Sequence, residues 1–359
     1  MKHLLWFLFV LYPAAVFAEP YLAIREGLKC SACHVNRTGG GKRTIMGAGY
    51  GTQALPWKSI DLKEKKVPHY WAVLDGNLSV GGDFRFMNDT HFIEDNTANT
   101  FVTDKGNIYL HVKAIPDVLS FYVDESVAPG GVQSREIFGT LEAMPAHGWI
   151  KAGRFILPYG LRIEDDRAFI RQATGFNFNN PDTGVEVGFE PGPFTIVTSA
   201  TNGTGGSLDN NASKQFVGSF AYVADAFRIG LSGSFNPSDL GDRAVGGIWG
   251  GFRLHKAVFL GEADLIQDEV PDGNDREQFA AHAEVNYLIT QGWNIKAAYE
   301  FLDPNRDIDE NQRDRVLVGI EPFIVPFLQV GVYYRFNQSI PQNKEQNADE
   351  LTFRIHIYF

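Results

Sequence analysis

The sequence predicts an all-β fold: an outer-membrane antiparallel β-barrel of about 16 strands, preceded by a short segment of different character. Three observations point there. From about Gly76 to Phe359, apolar residues alternate with polar or small ones, the period of a strand with two unlike faces. The connections between these runs are short and long by turns. The 359 residues have a mean hydropathy of -0.17, too low for a bundle of transmembrane helices, yet 13% are aromatic. A barrel tolerates this balance because half of each strand faces a polar lumen.

Met1-Lys2-His3 precedes an apolar run from Leu4 to Val16 and then Phe17-Ala18-Glu19. A basic start, an apolar stretch too short to span a bilayer and a small residue before the cleavage point read as a secretory signal, residues 1–18, cut after Ala18. Residues 19–75 form the second unit. Between Thr38 and Gly51 it holds six glycines: Gly39, Gly40, Gly41, Gly47, Gly49 and Gly51. A stretch of about 50 residues buries too little surface to stand alone, so it is expected to pack on or inside something larger. Its glycines lack the G-x-x-x-x-G-K-[ST] arrangement of a phosphate loop.

Residues 76–359 are the barrel. The alternating runs are 78–86, 108–114, 119–124, 137–143, 149–155, 184–189, 194–200 and 216–223, then 226–235, 245–254, 257–266, 279–288, 293–302, 315–323, 328–336 and 351–359. Tight connections such as Glu190-Pro191-Gly192-Pro193 and Leu254-His255-Lys256 alternate with long polar ones such as Asn88 to Lys105 and Asp303 to Asp314. Outer-membrane barrels have short periplasmic turns and longer extracellular loops. An even strand number puts both ends of the barrel on the periplasmic side, so residues 19–75 enter from there. The aromatic pair Tyr358-Phe359 suits a membrane-interface girdle. Asp83 with Arg85, Glu262 with Asp264, and Lys296 with Glu300 share strand parity. They are expected to face the lumen, because a charge turned to lipid costs about 2–4 kcal/mol. The longest connection, Leu157 to Thr183, is long enough to fold inward as a constriction. Its Asp165 and Asp166, beside Arg162 and Arg167, could line a pore or hold a cation.

The chemistry lies in Cys30-Ser31-Ala32-Cys33-His34. C-x-x-C-H is the attachment signal of a c-type haem: two thiols for the two vinyl groups and an imidazole for the iron. Cys30 and Cys33 are the only cysteines. The alternative for them is a disulfide with each other. Export past the inner membrane, implied by the signal, fits haem attachment, since covalent c-type haem is installed outside it. Residues 19–75 are therefore expected to be a monohaem c-type cytochrome segment. An electron carrier usually needs a sixth iron ligand. Met46, in the same glycine-rich stretch, is favoured over His69; Met87, His91, His111 and His282 are further candidates, the last two only for a haem inside the lumen. The net charge of -11 argues against nucleic acid as a partner.

Taken together, the signal, Cys30, Cys33 and His34, and the barrel pattern resemble the fused cytochrome–porin family, best known for outer-membrane iron oxidases. The resemblance implies one covalent haem c with His34 as a metal ligand. It implies electron transfer between an extracellular partner, Fe(II)/Fe(III) for example, and periplasmic c-type cytochromes, with outer-membrane lipid around the barrel. The other reading is a solute porin whose haem-bearing N-terminus is a periplasmic docking module.

Overall fold

The computed structural model describes residues 19–60, 73–93, 96–163, 165–209, 211–238, 241–269, 273 and 275–359. The signal segment 1–18 lies outside them.

A lead-in strand β1 (Val73–Asp75) pairs with β2 (Leu78–Ile93). From β2 the chain runs through β3 (Asn96–Ile115), β4 (Leu119–Ala128), β5 (Gln133–Met144), β6 (Gly148–Phe155), β7 (Asp182–Phe189), β8 (Phe194–Thr201) and β9 (Gln215–Val223). The second half holds β10 (Phe227–Asn236), β11 (Arg243–Leu254), β12 (Ala257–Asp268) and β13 (Arg276–Thr290). It ends with β14 (Trp293–Asp303), β15 (Arg313–Val325), β16 (Leu328–Gln338) and β17 (Asp349–Tyr358). Each strand pairs antiparallel with the next, and β17 closes on β2 through pairs such as Phe353 with Asn88. The sixteen strands β2–β17 thus form a closed barrel, and each of the sixteen alternating runs falls in one of them to within a residue.

The alternation sorts side chains as expected. Along β10, Phe227, Ile229 and Leu231 are exposed while Arg228 and Ser232 are buried. Asp83, Arg85, Glu262, Asp264 and Glu300 are likewise buried, and Lys296 is partly so. Outward, large apolar residues such as Ile248, Ile295, Val318 and Ile357 form the apolar belt that a barrel turns to hydrocarbon.

One expectation is corrected. The predicted long loop from Asn88 to Lys105 is mostly strand, because β2 and β3 run on as a paired ribbon, Ile93 opposite Asn96. Residues 96–101 are all exposed, so along that stretch β3 has no buried face. With no buried face there is no apolar period to read.

The long β6–β7 connection, residues 156–181, folds into the barrel and carries a short helix, Phe169–Thr174, there. Its Phe169 amide donates to Glu300 at 2.7 Å, its Leu161 amide to Glu262 at 2.6 Å, and its Tyr159 hydroxyl to Asp264 at 2.8 Å. Arg171 binds both oxygens of Glu262, at 2.6 and 2.7 Å. The inward constriction expected from loop length is therefore present. Gly160 allows the closest approach: its φ is +59°, and a Cβ there would overlap the Glu262 carboxylate.

Candidate functional site

The N-terminal segment contributes three short helices. In α1 (Pro20–Arg25) proline occupies the first turn, where its missing N–H is harmless, and Tyr21, Leu22, Ala23 and Ile24 are buried. Helix α2 (Cys30–Cys33) is the C-x-x-C turn itself. Helix α3 (Ile45–Gln53) starts at Thr44, whose hydroxyl accepts from the Gly47 amide at 3.1 Å. The fourth helix, α4 (Phe169–Thr174), belongs to the inward-folded loop.

Residues 34 and 43 form an antiparallel bridge, so the glycine-rich stretch turns back on the motif. Val35 N–H donates to the Lys42 carbonyl at 2.9 Å, and Thr44 N–H to the Cys33 carbonyl at 2.8 Å. Gly41, at φ +66°, makes the turn possible, and a Cβ there would overlap the Tyr122 hydroxyl.

This unit is tied to the inner wall on several sides. Asn36, 1% exposed, donates to both oxygens of Glu136 on β5, at 2.9 and 3.1 Å, and accepts from Lys151 of β6 at 2.9 Å. Ser31, between the two cysteines, donates to Glu190 at 3.0 and 2.8 Å. Lys29 donates to the Gly192 and Phe194 carbonyls at 2.8 and 2.7 Å. The Lys42 amide donates to Tyr122 of β4 at 3.0 Å. Arg228 of β10 donates to the Leu28 carbonyl, and Arg253 of β11 to that of Arg25. Trp57 N–H donates to Phe323 of β15 at 2.7 Å. The segment thus sits among lumen-facing side chains toward the short-turn end.

Cys30 is half-buried, Cys33 is 1% exposed, and the two are free thiols, not a disulfide. Burial, with the neighbouring Cys30, pushes the Cys33 thiol well above its ordinary value. His34 is buried and lines two cavities. One is an apolar slot with Cys30, Leu161, Val197, Ala221 and Trp249 in its wall. The other is an open cavity of about 850 Å3 at the short-turn mouth, lined by Ser31, Ala32, His34, Met46, His111 and the turn residues Gly76, Asn77, Gly192 and Pro193. Met46 lies at the start of α3 and is 46% exposed. His69 lies outside the described residues. Met87 and His282 line a different cavity, of about 310 Å3, between the inward-folded loop and the wall.

Asp165 and Asp166 also line that cavity but are already engaged. Asp165 pairs with Arg335 and Arg167, and Asp166 accepts from the Phe178 amide at 3.0 Å. Burial alone would push the Asp165 carboxyl up; the guanidiniums prevail and hold it well below the usual carboxylate range. Among the described residues no group of three or more carboxylate, thiol or imidazole side chains is arranged to hold a metal ion. Both aspartates of this loop thus line a lumen cavity with partners of their own. The anchors Asn36, Glu136 and Lys151 escaped sequence reading because their pairing spans a hundred or more residues and carries no local signal.

No family model matches this chain, and no curated protein matches it. Solved structures do. The anion-selective porin from Comamonas acidovorans matches with a TM-score of 0.62 at 11% identity, over 79% of this chain and 99% of that one. OmpT, an outer membrane protein of Vibrio cholerae, matches at 0.61 and 12% identity, over 79% and 97%. The outer membrane channel DcaP of Acinetobacter baumannii matches at 0.59 and 11%, over 79% and 98%. At these identities the likeness establishes the fold: a 16-stranded porin-type barrel of the outer-membrane kind.

Proposed function

We propose that the protein is an outer-membrane electron carrier, a porin-type barrel that holds one covalent haem c on the segment lodged in its lumen. Cys30 and Cys33 supply the thioether sulfurs and His34 the axial imidazole. One observation carries the reading: the C-x-x-C-H turn is anchored to the inner wall, beside a cavity of about 850 Å3. Cofactor sites usually measure about 300–1,000 Å3, so the space suits a porphyrin. The donor set suits it too: two free thiols three residues apart and an adjacent buried histidine. The haem would supply reversible one-electron exchange at iron. The chain's own part is to fix its depth, limit its solvent access and hold it against the short-turn mouth. There a periplasmic c-type cytochrome could reach its edge. The extracellular partner, for which Fe(II)/Fe(III) is the candidate, would approach from the long-loop side. This is the arrangement of the fused cytochrome–porin family.

A solute porin with a haem-bearing N-terminus is the second reading. Its support is the porin fold together with the lumen cavity of about 310 Å3. The two separate experimentally. The haem-dependent peroxidase stain of a denaturing gel should be positive and should vanish in Cys30→Ser/Cys33→Ser. Proteoliposomes should exclude small sugars in a swelling assay and should show haem reduction by an impermeant external reductant. Free sugar passage with no external reduction would leave only the porin; a negative stain would end the haem reading.

A further inference from the structure

The sixth position of the iron has several candidates in the chain, and the cavity beside His34 separates them. His111 lies on β3, on the inward parity shared with Asn107 and Tyr109, and is 8% exposed. Its register partners are Ser79 on β2 and Tyr122 on β4. Tyr122 is the residue that accepts the Lys42 amide, so His111 stands beside the docked loop that carries His34. Both histidines line the same cavity of about 850 Å3, as does Met46, whereas Met87 and His282 do not.

Two other inward-facing histidines of the described barrel are already engaged, and His91, near the far end of β2, does not line this cavity. The His356 ring pairs with Gln329 at 2.9 Å and Asp83 at 3.2 Å, and His282 lies 3.6 Å from Glu284. His111 makes no side-chain hydrogen bond or ion pair among the described residues. A buried imidazole with nothing to bond and a cavity in front of it suits a ligand that is still to arrive.

Met46 is placed differently. Axial ligands reach iron from opposite faces, so the porphyrin must pass between them. Residues 33–35 and 42–44 are hydrogen-bonded side by side, and the next turn, at Gly47, presses on the Cys33 carbonyl. That keeps Met46, 46% exposed, on the same hydrogen-bonded unit as His34, whereas His111 faces that unit from the barrel wall.

We propose that His111, a residue of the barrel wall, is the sixth ligand of the haem carried by Cys30, Cys33 and His34. The inference rests on the haem reading above. It makes the iron bis-histidine and so lower in potential than a histidine–methionine centre. It also makes the cofactor a cross-link between the lodged segment and the wall.

The test uses the full chain, matured with c-type haem in the outer membrane and purified in detergent. Wild type should be low-spin in the ferric state. His111→Ala should stain for covalent haem yet turn high-spin, and added imidazole should restore the low-spin spectrum. His111→Met should stay low-spin, gain the far-red sulfur-to-iron band and rise in potential. Met46→Ala should match wild type. A haem-positive His111→Ala that stays low-spin overturns the assignment, as does a high-spin wild type or a Met46→Ala that alone turns high-spin. In all three cases the haem reading survives. A wild type negative for the stain overturns both.

Discussion

Asn36 is the side chain on which docking of the N-terminal segment depends most. It gives Glu136 two contacts that amount to one shared hydrogen bond, and takes one from Lys151 at 2.9 Å. Hydrogen bonds to charged groups are worth about 1.5–3 kcal/mol each when the charged partner is left behind. Asn36→Ala removes two, so docking should weaken by about 3–6 kcal/mol. At 1.4 kcal/mol per decade the undocked population rises at least about a hundredfold. Limited trypsin digestion of the folded protein reads this directly at Arg37, Lys42 and Arg43. The cleavage rate tracks the open population when re-docking outruns cleavage. Glu142→Gln is the control. Its pair with Arg37, at 3.1 Å, is partly exposed and should be worth under about 1 kcal/mol. If Asn36→Ala is cut within about threefold of wild type while Glu142→Gln behaves the same, the anchor is not where the geometry puts it.

Three further outcomes follow from the same contacts. Burial, helped by Arg43, pulls the Lys42 ammonium down to about 8. Below that value it is protonated whether docked or not, and its burial costs about 3 kcal/mol. As pH rises from 8 toward 10.5 the docked form sheds its proton first, so docking should tighten with pH. Lys42→Met should be cut more slowly at neutral pH and lose the trend, rates being normalised to a peptide of the same sequence. Arg171→Met leaves Glu262 buried without its charge partner, a loss of about 3–5 kcal/mol. The constriction loop should loosen, and single-channel conductance in planar bilayers should rise. Gly41→Ala must abandon φ +66° or displace Tyr122, and should speed tryptic cleavage by about tenfold or more.

The barrel was legible because its physics is local. One buried face and one apolar face write a period of two into each strand, and the turn chemistry at Glu190–Pro193 and Leu254–Lys256 punctuates it. The period failed chiefly at residues 88–105, where residues 96–101 are exposed on both sides. The C-x-x-C-H motif was legible because its spacing is what covalent haem attachment would need. What the sequence did not disclose is how the two units fit. Asn36, Ser31 and Lys29 are unremarkable polar residues of a loop. Of their partners, Lys151 sits within an alternating run, Glu136 at the edge of one and Glu190 in a tight turn, and none carries a local signal. Only closure of the barrel brings them together. His111 could be assigned to the inner face by parity, but parity does not say what stands opposite.

The distribution of cavities also constrains how electrons could travel. The space beside His34 opens at the short-turn mouth, whereas the cavity of about 310 Å3 lies farther into the lumen, under the constriction loop. A hydrocarbon layer is about 30 Å thick, too wide for one haem at one mouth to bridge alone. On the proposed reading, then, an external donor must enter the barrel and meet the carrier part-way. The inner cavity is the place for that meeting. Its wall mixes Asp166, Glu284 and Glu300 with Arg85, Lys296 and Arg335; Arg85 pairs with Asp83, Lys296 with Glu321, Arg335 with Glu350 and Glu300 with Arg315, so it presents no large field of one sign to a small ion. Loosening the constriction by Arg171→Met should therefore speed haem reduction by a small soluble donor and leave reduction from the periplasmic side unchanged. Stopped-flow reduction in oriented proteoliposomes measures both rates. An equal change in the two, or none in the first, would mean that the donor does not pass this loop.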